Sequence, residues 1–494
     1  MKKHLYIYGL TILLSTMATS CKKDFLNIVP LGKQVAVTTT DYDLLMNQSD
    51  LYISSTTGRW MGVGLMGDDI AAENTFYKSA KLRSQQAFTW ADDIYQATDI
   101  PFELRDWISN LYTVNKVINE IMASTGGTEQ QKKAIQAEAY ATRAYIYFQF
   151  VNFYGKPYQT ATAGTDPAFP IITEADVNAT NFTRSSVQQV YDFIITDLTT
   201  SIANLPLTNS KGVSRFTKAG AEALLGKVYV FSGKNSEALA VINAAFSDNA
   251  TLTSPARLYD YNKEFALGGK FLPIGPYGPA NSPEVNFNDV TESLLAYSSY
   301  NGLYNGNGYG TDFVVLSPEA RALFSSSDLR LKFYTPNLQS TVVNPSGRLS
   351  KYADYSSPLV KTGLQISELY LLSAECKARL NDLSGAKSDV EILRKSRMPI
   401  ADATIPGTVS SSQKNLLQYI FDERVREFAT QGYRWFDMRR LSVDPILTAP
   451  TFKHVLYNDA TFTNTTVFTL NPVRLTQKLP PYIMNANPQL TNNP

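Results

Sequence analysis

Residues 217–246 read TKAGAEALLGKVYVFSGKNSEALAVINAAF. Apolar and small residues recur every three or four positions on both sides of Gly233-Lys234-Asn235, the mark of two amphipathic helices with a tight turn between them. The spacing predicts helices over 217–231 and 236–246. Gly226 and Ala238 stand twelve residues apart, where two antiparallel helices joined by such a turn would cross closely.

The same interval separates Ala374 from Ala386, inside apolar periods over 365–380 and 385–394 that Asn381-Asp382 divides. Tyr229, Ile242 and Ala245 in the first pair, and Val390 in the second, fill further positions of the tetratricopeptide pattern. One such pair cannot bury its face alone, so stacking against other helices is implied. Helical periods at 111–122, 130–154, 186–204 and 415–430 supply them. The expected fold class is mainly α: tetratricopeptide-like helix pairs forming a scaffold over about 103–246 and 365–440, with irregular aromatic-rich segments packed on it.

Those irregular segments, about 51–102 and 254–360, are rich in Gly, Asn, Thr and aromatic residues. Long loops in a compact protein usually carry function. Rings such as Phe271, Tyr277, Tyr297 and Phe313 mark them as ordered excursions and not as linkers.

Near the far end, residues 422–440 read DERVREFATQGYRWFDMRR. Phe421, Val425 and Phe428 share a helix face, Asp422 and Arg426 are spaced for an i, i+4 ion pair, and Gly432 is placed to stop the helix. Arg434, Asp437, Arg439 and Arg440 supply charges expected to pair with Glu423 and Glu427. Carboxylates among this many arginines should have lowered pKa values, which suits ion pairs and not a general acid.

At the start, Lys2 and Lys3 precede an apolar run from Leu5 to Leu14, followed by Ser15, Ala18, Thr19 and Ser20. That is the layout of a secretory signal, too short to span a bilayer. Cys21 at the junction looks like a lipobox cysteine. The expectation is a signal peptide over 1–20, one mature domain over 21–494, and an acylated Cys21 that holds the protein to a membrane. Two or more buried acyl chains hold stably where one does not.

Composition removes several function classes. A formal net charge of +1 over 494 residues gives no case for nucleic acid. Two cysteines, Cys21 and Cys376, and two histidines, His4 and His454, cannot make a typical zinc site, nor a disulfide once Cys21 is acylated. A serine–histidine–acid triad would need His454, which has no nucleophile-elbow pattern nearby, and no phosphate-binding glycine loop is present. No cofactor is expected, a loop-bound calcium ion stays open, and carboxylate-only chemistry as in glycosidases stays open. The positive feature is aromatic: 29 Tyr, 25 Phe and 4 Trp.

The 422–440 stretch resembles the hallmark of the SusD/RagB family, close to E-R-x-x-E-F-x-x-E-G-x-R-W-F-D-L-R-R, with Gln431 replacing the usual acid and Met438 the usual leucine. Residues 21–26 (CKKDFL) are similar to that family's mature N-terminus. Residues 137–158 (AEAYATRAYIYFQFVNFYGKPY), 317–334 (SPEARALFSSSDLRLKFY) and 478–488 resemble its alanine–arginine–tyrosine helix, its S-P-E…D-x-R stretch and its C-terminal ending. The resemblance implies a lipoprotein of the outer membrane, surface-exposed and not an enzyme. It would lie on a SusC-like TonB-dependent β-barrel transporter and help capture a glycan through its irregular segments.

Sugar rings want aromatic planes for their C–H faces and Asp, Asn or Gln for their hydroxyls. Two windows qualify. The first holds Trp60, Asp68, Asp69, Trp90, Asp92 and Tyr95; the second holds Tyr300, Tyr304, Asn305 and Tyr309 among glycines. For each ring the plain alternative is packing beneath its own loop, and Asp68-Asp69 could instead cap a loop. Two other functions stand beside glycan capture: a surface glycoside hydrolase with paired carboxylates, and a peptide-binding helical-repeat scaffold.

Overall fold

The computed structural model describes residues 36–54, 61–208, 211–283, 286, 288–300, 313–338, 342–343, 347–352 and 359–494. Its longer helices are α1 (Phe102–Glu120), α2 (Glu129–Tyr154), α3 (Val187–Asn204), α4 (Lys218–Phe231), α5 (Asn235–Ala250), α6 (Ile366–Arg379), α7 (Leu383–Lys395), α8 (Gln413–Phe428) and α9 (Tyr433–Leu441). The fold is mainly α. α2 opens at Thr128 and α3 at Ser186, each with a capping box closed by a glutamine three residues on, Gln131 and Gln189.

α2 packs on α3, α4 on α5 and α6 on α7, while α3–α4 and α5–α6 contacts join one pair to the next. Gly226 is the crossing point of α4 and α5. A Cβ there would lie 2.6 Å from Ile242 Cγ1, so only glycine lets the helices approach this closely. Ala238, Ala374 and Ala386 are fully buried at the matching positions.

The irregular segments form small sheets against this scaffold. β1 (Ile53–Ser54), β3 (Ser298–Tyr300) and β5 (Leu359–Lys361) make one, in the order β1-β3-β5. β2 (Ile70–Glu73), β4 (Val314–Leu316), β6 (Lys453–Tyr457) and β7 (Thr465–Thr469) make another, in the order β7-β6-β2-β4. One apolar core runs through both halves, joining Phe150 and Leu225 of the helices to Phe88 and Phe313 of the irregular segments. Among the described residues no helix is long and apolar enough to cross a membrane.

The arginine-rich end differs from expectation in three ways. α8 stops at Phe428, before Gly432, through Thr430 at φ 66°; Gly432, at φ 87°, instead starts α9. Arg426 does not meet Asp422. It bonds Glu423 at 2.8 Å, and Asp422 accepts from the Gln418 amide at 2.9 Å. Arg434, Arg439 and Arg440 do not reach Glu423 or Glu427: Arg440 goes to Glu375 and Asp437, Arg439 to the carbonyls of Leu475 and Gly155, and Arg434 to Asp68. The acids are taken by more distant arginines. Glu423 binds Arg330 at 2.8 Å and Arg394 at 2.9 Å; Glu427 binds Arg330 at 3.1 Å and Arg397 at 2.8 Å.

The pairs close into two formally neutral clusters. Asp328, Glu292, Glu423 and Glu427 balance Arg330, Arg394, Arg397 and Arg426. Glu368, Glu375, Asp437 and Asp444 balance Lys227, Arg379, Arg424 and Arg440. Burial alone would raise the Glu423 carboxyl, but Arg330, Arg426 and Arg394 outweigh it and hold it down at about 2. Neutral clusters of this kind bolt the irregular segments, through Glu292, Asp328 and Arg330, to α7 and α8.

Candidate functional site

Asp68 and Asp69 sit in the turn between the short helix Met61–Gly64 and β2. Asp68 accepts from Arg434 Nε at 2.5 Å, and Asp69 accepts from the Thr430 amide at 2.7 Å. Asp69 is buried, and that burial pushes its carboxyl up to about 6 in spite of the Thr430 amide. Both acids therefore splice this loop to the α8–α9 turn. Asp69 is not left to meet a ligand, which corrects the expectation that it rims a sugar site, whereas Asp68 stays partly exposed beside Arg434.

Trp90 is corrected for a related reason. Its ring is 4 % exposed, stacks on His454 at 3.8 Å between centroids, and donates Nε1–H to the Met66 carbonyl at 3.0 Å. Its backbone lies at φ 50°, an uncommon conformation for a bulky residue, held by this packing. His454 is clamped between Trp90 and Phe88, and burial pushes its imidazole down to about 4. The stack leaves little of Trp90 exposed, and Trp90 lines the cleft that Asp92 and Tyr95 border.

Asp92 and Tyr95 do reach the surface. They border a shallow cleft of about 50 Å³ with Arg474, Gln477, Lys478 and Pro480. Asp92 faces Arg474 at 3.3 Å and Asp93 faces Lys478 at 3.3 Å, so the rim is charge-balanced. The Arg83 guanidinium lies 5.6 Å from the Tyr95 ring centre.

Trp60, Tyr304, Asn305 and Tyr309 lie outside the described residues. The strands to which their segments are joined are described, and they are neighbours. β1 runs parallel to β3, pairing Ile53 with Ser298 and Ser54 with Ser299. β5 runs antiparallel to β3, pairing Leu359 with Tyr300 and Lys361 with Ser298. Ser54, Tyr300 and Leu359 therefore stand at one end of one sheet, and residues 55–60, 301–312 and 353–358 are joined to the chain there. The opposite end is fixed to the scaffold. Tyr145 of α2 donates to the Thr362 carbonyl at 2.7 Å, and Tyr433 of α9 donates to the Lys361 carbonyl at 2.9 Å.

Among the described residues no group of three or more His, Cys, Asp or Glu could hold a metal ion. Glu423 and Glu427 are locked as ionised partners of arginines and are unsuited to donate a proton. Sequence reasoning missed Asp328, Arg330, Arg394 and Arg397 as their partners. The D-x-R at 328–330 was visible only as part of the family resemblance, because nothing local says which acid an arginine a hundred residues away will meet.

Comparison with known proteins decides the family. A sequence profile described as "Starch-binding associating with outer membrane" matches residues 52–230, and the SusD family profile matches residues 363–494. The chain belongs to the SusD/RagB family. SusD-like protein P2 of Formosa agariphila is 24 % identical over 460 residues, covering 82 % of this chain and 84 % of that protein. SusD-like protein P38 of the same organism is 22 % identical over 377 residues, covering 65 % and 71 %. A putative sugar binding protein from Bacteroides vulgatus superposes with a TM-score of 0.70 at 18 % identity, over 94 % of this chain and 99 % of that one. A SusD superfamily protein from Bacteroides thetaiotaomicron gives the same TM-score, 0.70, over 93 % of this chain and 100 % of that one, again at 18 % identity. At this identity the two structures establish the shared SusD fold and leave the ligand to be argued from this chain.

Proposed function

We propose that this protein is a cell-surface lipoprotein, anchored to the outer membrane through acylated Cys21, that captures an oligo- or polysaccharide without hydrolysing it. It hands the glycan to a SusC-like TonB-dependent transporter, and its mature chain, 21–494, works as one unit. The family profile's own description, starch binding in association with the outer membrane, supports the ligand class and the location. The shared sheet end supports the choice of site. Ser54 and Tyr300 are neighbours at the end of a sheet braced by Tyr145 and Tyr433, and Trp60 follows the first of them in sequence and Tyr304, Asn305 and Tyr309 the second. Exposed sugar faces give up water-bonded hydroxyls and gain little, so the dissociation constant should be on the order of 10 µM to 1 mM. The test is a glycan-array screen of the purified full chain against neutral and acidic oligosaccharides. Selective retention of one glycan class supports the reading; binding of peptides with no glycan retained overturns it.

A further inference from the structure

Two acids meet where α4 and α5 pack together. Glu222 lies one turn before Gly226 on α4, and Asp248 lies in the last turn of α5. Glu222 is 4 % exposed, and its Oε2 has no hydrogen-bond partner among the described residues. Lys218 sits 3.0 Å from Asp248 but 3.8 Å from Glu222 Oε1, so the lysine serves Asp248 first. A buried carboxylate oxygen without a donor is costly. One proton removes that cost, because Asp248 is within hydrogen-bonding reach and a protonated Glu222 donates to it. Burial, with the Asp248 charge added, pushes the Glu222 carboxyl up to about 7 against the pull of Lys218. The charges on the other elements packed against α4 are engaged elsewhere. Asp197 of α3 holds Arg143 of α2, Glu138 of α2 holds Arg215, Glu368 of α6 holds Lys227, and Glu292, beside the strand Ser293–Leu295, holds Arg397. Lys218 and Asp248 are therefore the charges that Glu222 faces.

The turn that carries Asp248 also fixes where the chain leaves the scaffold. Asn249, the next residue, is buried. Its side-chain amide donates to the Ala256 carbonyl at 3.0 Å, and its Oδ1 accepts from the Ala256 amide at 2.9 Å. The Arg257 amide then donates to the Thr291 carbonyl at 2.9 Å. The last turn of α5 thus holds the 251–256 loop, through which the second irregular segment begins.

We propose that Glu222 and Asp248 form a proton-dependent latch: with one proton between them the last turn of α5 and the 251–256 loop stay closed on α4, and when Glu222 gives that proton to water they open. The latch does not depend on the glycan reading. Its sign follows from the proton it holds. Glu222 titrates near 7 when closed, against about 4.3 for a solvated glutamate, so closure is favoured at low pH and weakens as pH rises towards and through 7. Between pH 6 and pH 8 the ratio of closed to open should fall about tenfold. The experiment is hydrogen exchange by mass spectrometry on the full chain in detergent at pH 6 and pH 8, with each rate divided by its intrinsic rate at that pH. Protection of amides within 244–256 should fall about tenfold in the parent beyond any change in α7. Glu222→Gln keeps the shape and the donor to Asp248 but cannot titrate, so its 244–256 protection should follow α7. Asp248→Asn removes the facing charge and leaves the burial, so its fall should be smaller than the parent's. No excess fall in the parent, or the same fall in Glu222→Gln, would overturn the proposal. Should Glu222→Gln not fold, Asp248→Asn decides it, and a fall as large as the parent's would overturn it.

Discussion

Replacing Glu423 by alanine should destabilise this protein more than almost any other single surface-distant change. Glu423 is fully buried, with Oε1 on Arg330 at 2.8 Å and Oε2 on Arg394 at 2.9 Å and Arg426 at 2.8 Å. Its cluster has four acids for four arginines, so the variant leaves one positive charge unbalanced among guanidiniums that are at most 10 % exposed. Breaking one partner out of a buried pair costs about 3–5 kcal/mol. One acid serving three guanidiniums places the loss near the top of that range, about 5 kcal/mol. Unfolding entropy near the melting temperature is about 2 cal/mol/K per residue, or about 1 kcal/mol/K for a chain of this length, so the melting temperature should fall by about 5 °C. Differential scanning calorimetry of parent and variant reads this directly. Glu423→Gln, which keeps the shape and loses the charge, should fall by a smaller but clear amount. A shift below about 1 °C for Glu423→Ala would refute the view that the cluster braces the fold.

Other outcomes follow from the same geometry. Asp69 is held at about 6, above its unfolded value of about 3.9, so its contribution to stability is present below pH 3.9 and lost as pH rises through 6. Asp69→Asn should therefore gain on the parent above pH 6, by up to about 2–3 kcal/mol, and lose that gain below pH 4; urea melts across pH measure it. Trp90→Ala removes a buried stack and should cost about 3–5 kcal/mol, seen as a lower melting temperature, with any loss of glycan binding following the loss of fold. Tyr304→Ala with Tyr309→Ala should leave the melting temperature unchanged and remove most glycan binding in calorimetric titration. Cys21→Ala should abolish labelling by a fatty-acid probe and release the protein from membranes; equal labelling would place the anchor elsewhere.

The helical scaffold was legible because its information is local. The Gly226–Ala238 interval and the Asn381-Asp382 turn say where helices cross and stop without reference to the rest of the chain, and α4–α7 fall where they predict. The family hallmark at 422–440 was legible for the same reason. The site was less so. Asp69 looks like a sugar-binding acid in a loop until the Thr430 amide arrives from 361 positions away. Trp90 looks like a platform until His454 closes over it. Asp422 and Arg426 had the right spacing, but Glu423 offered Arg426 a fully buried partner one residue along. Long-range pairing, and not local pattern, decides which polar and aromatic residues remain open to a ligand.

Capture without turnover can be tested in one titration. The full chain is titrated calorimetrically with the oligosaccharide chosen by the array, while reducing ends are assayed in the same cell. Saturable binding on the order of 10 µM to 1 mM with no growth in reducing ends is predicted. Reducing ends that rise steadily, and stop rising when two acids are replaced, would contradict it and make the protein a hydrolase.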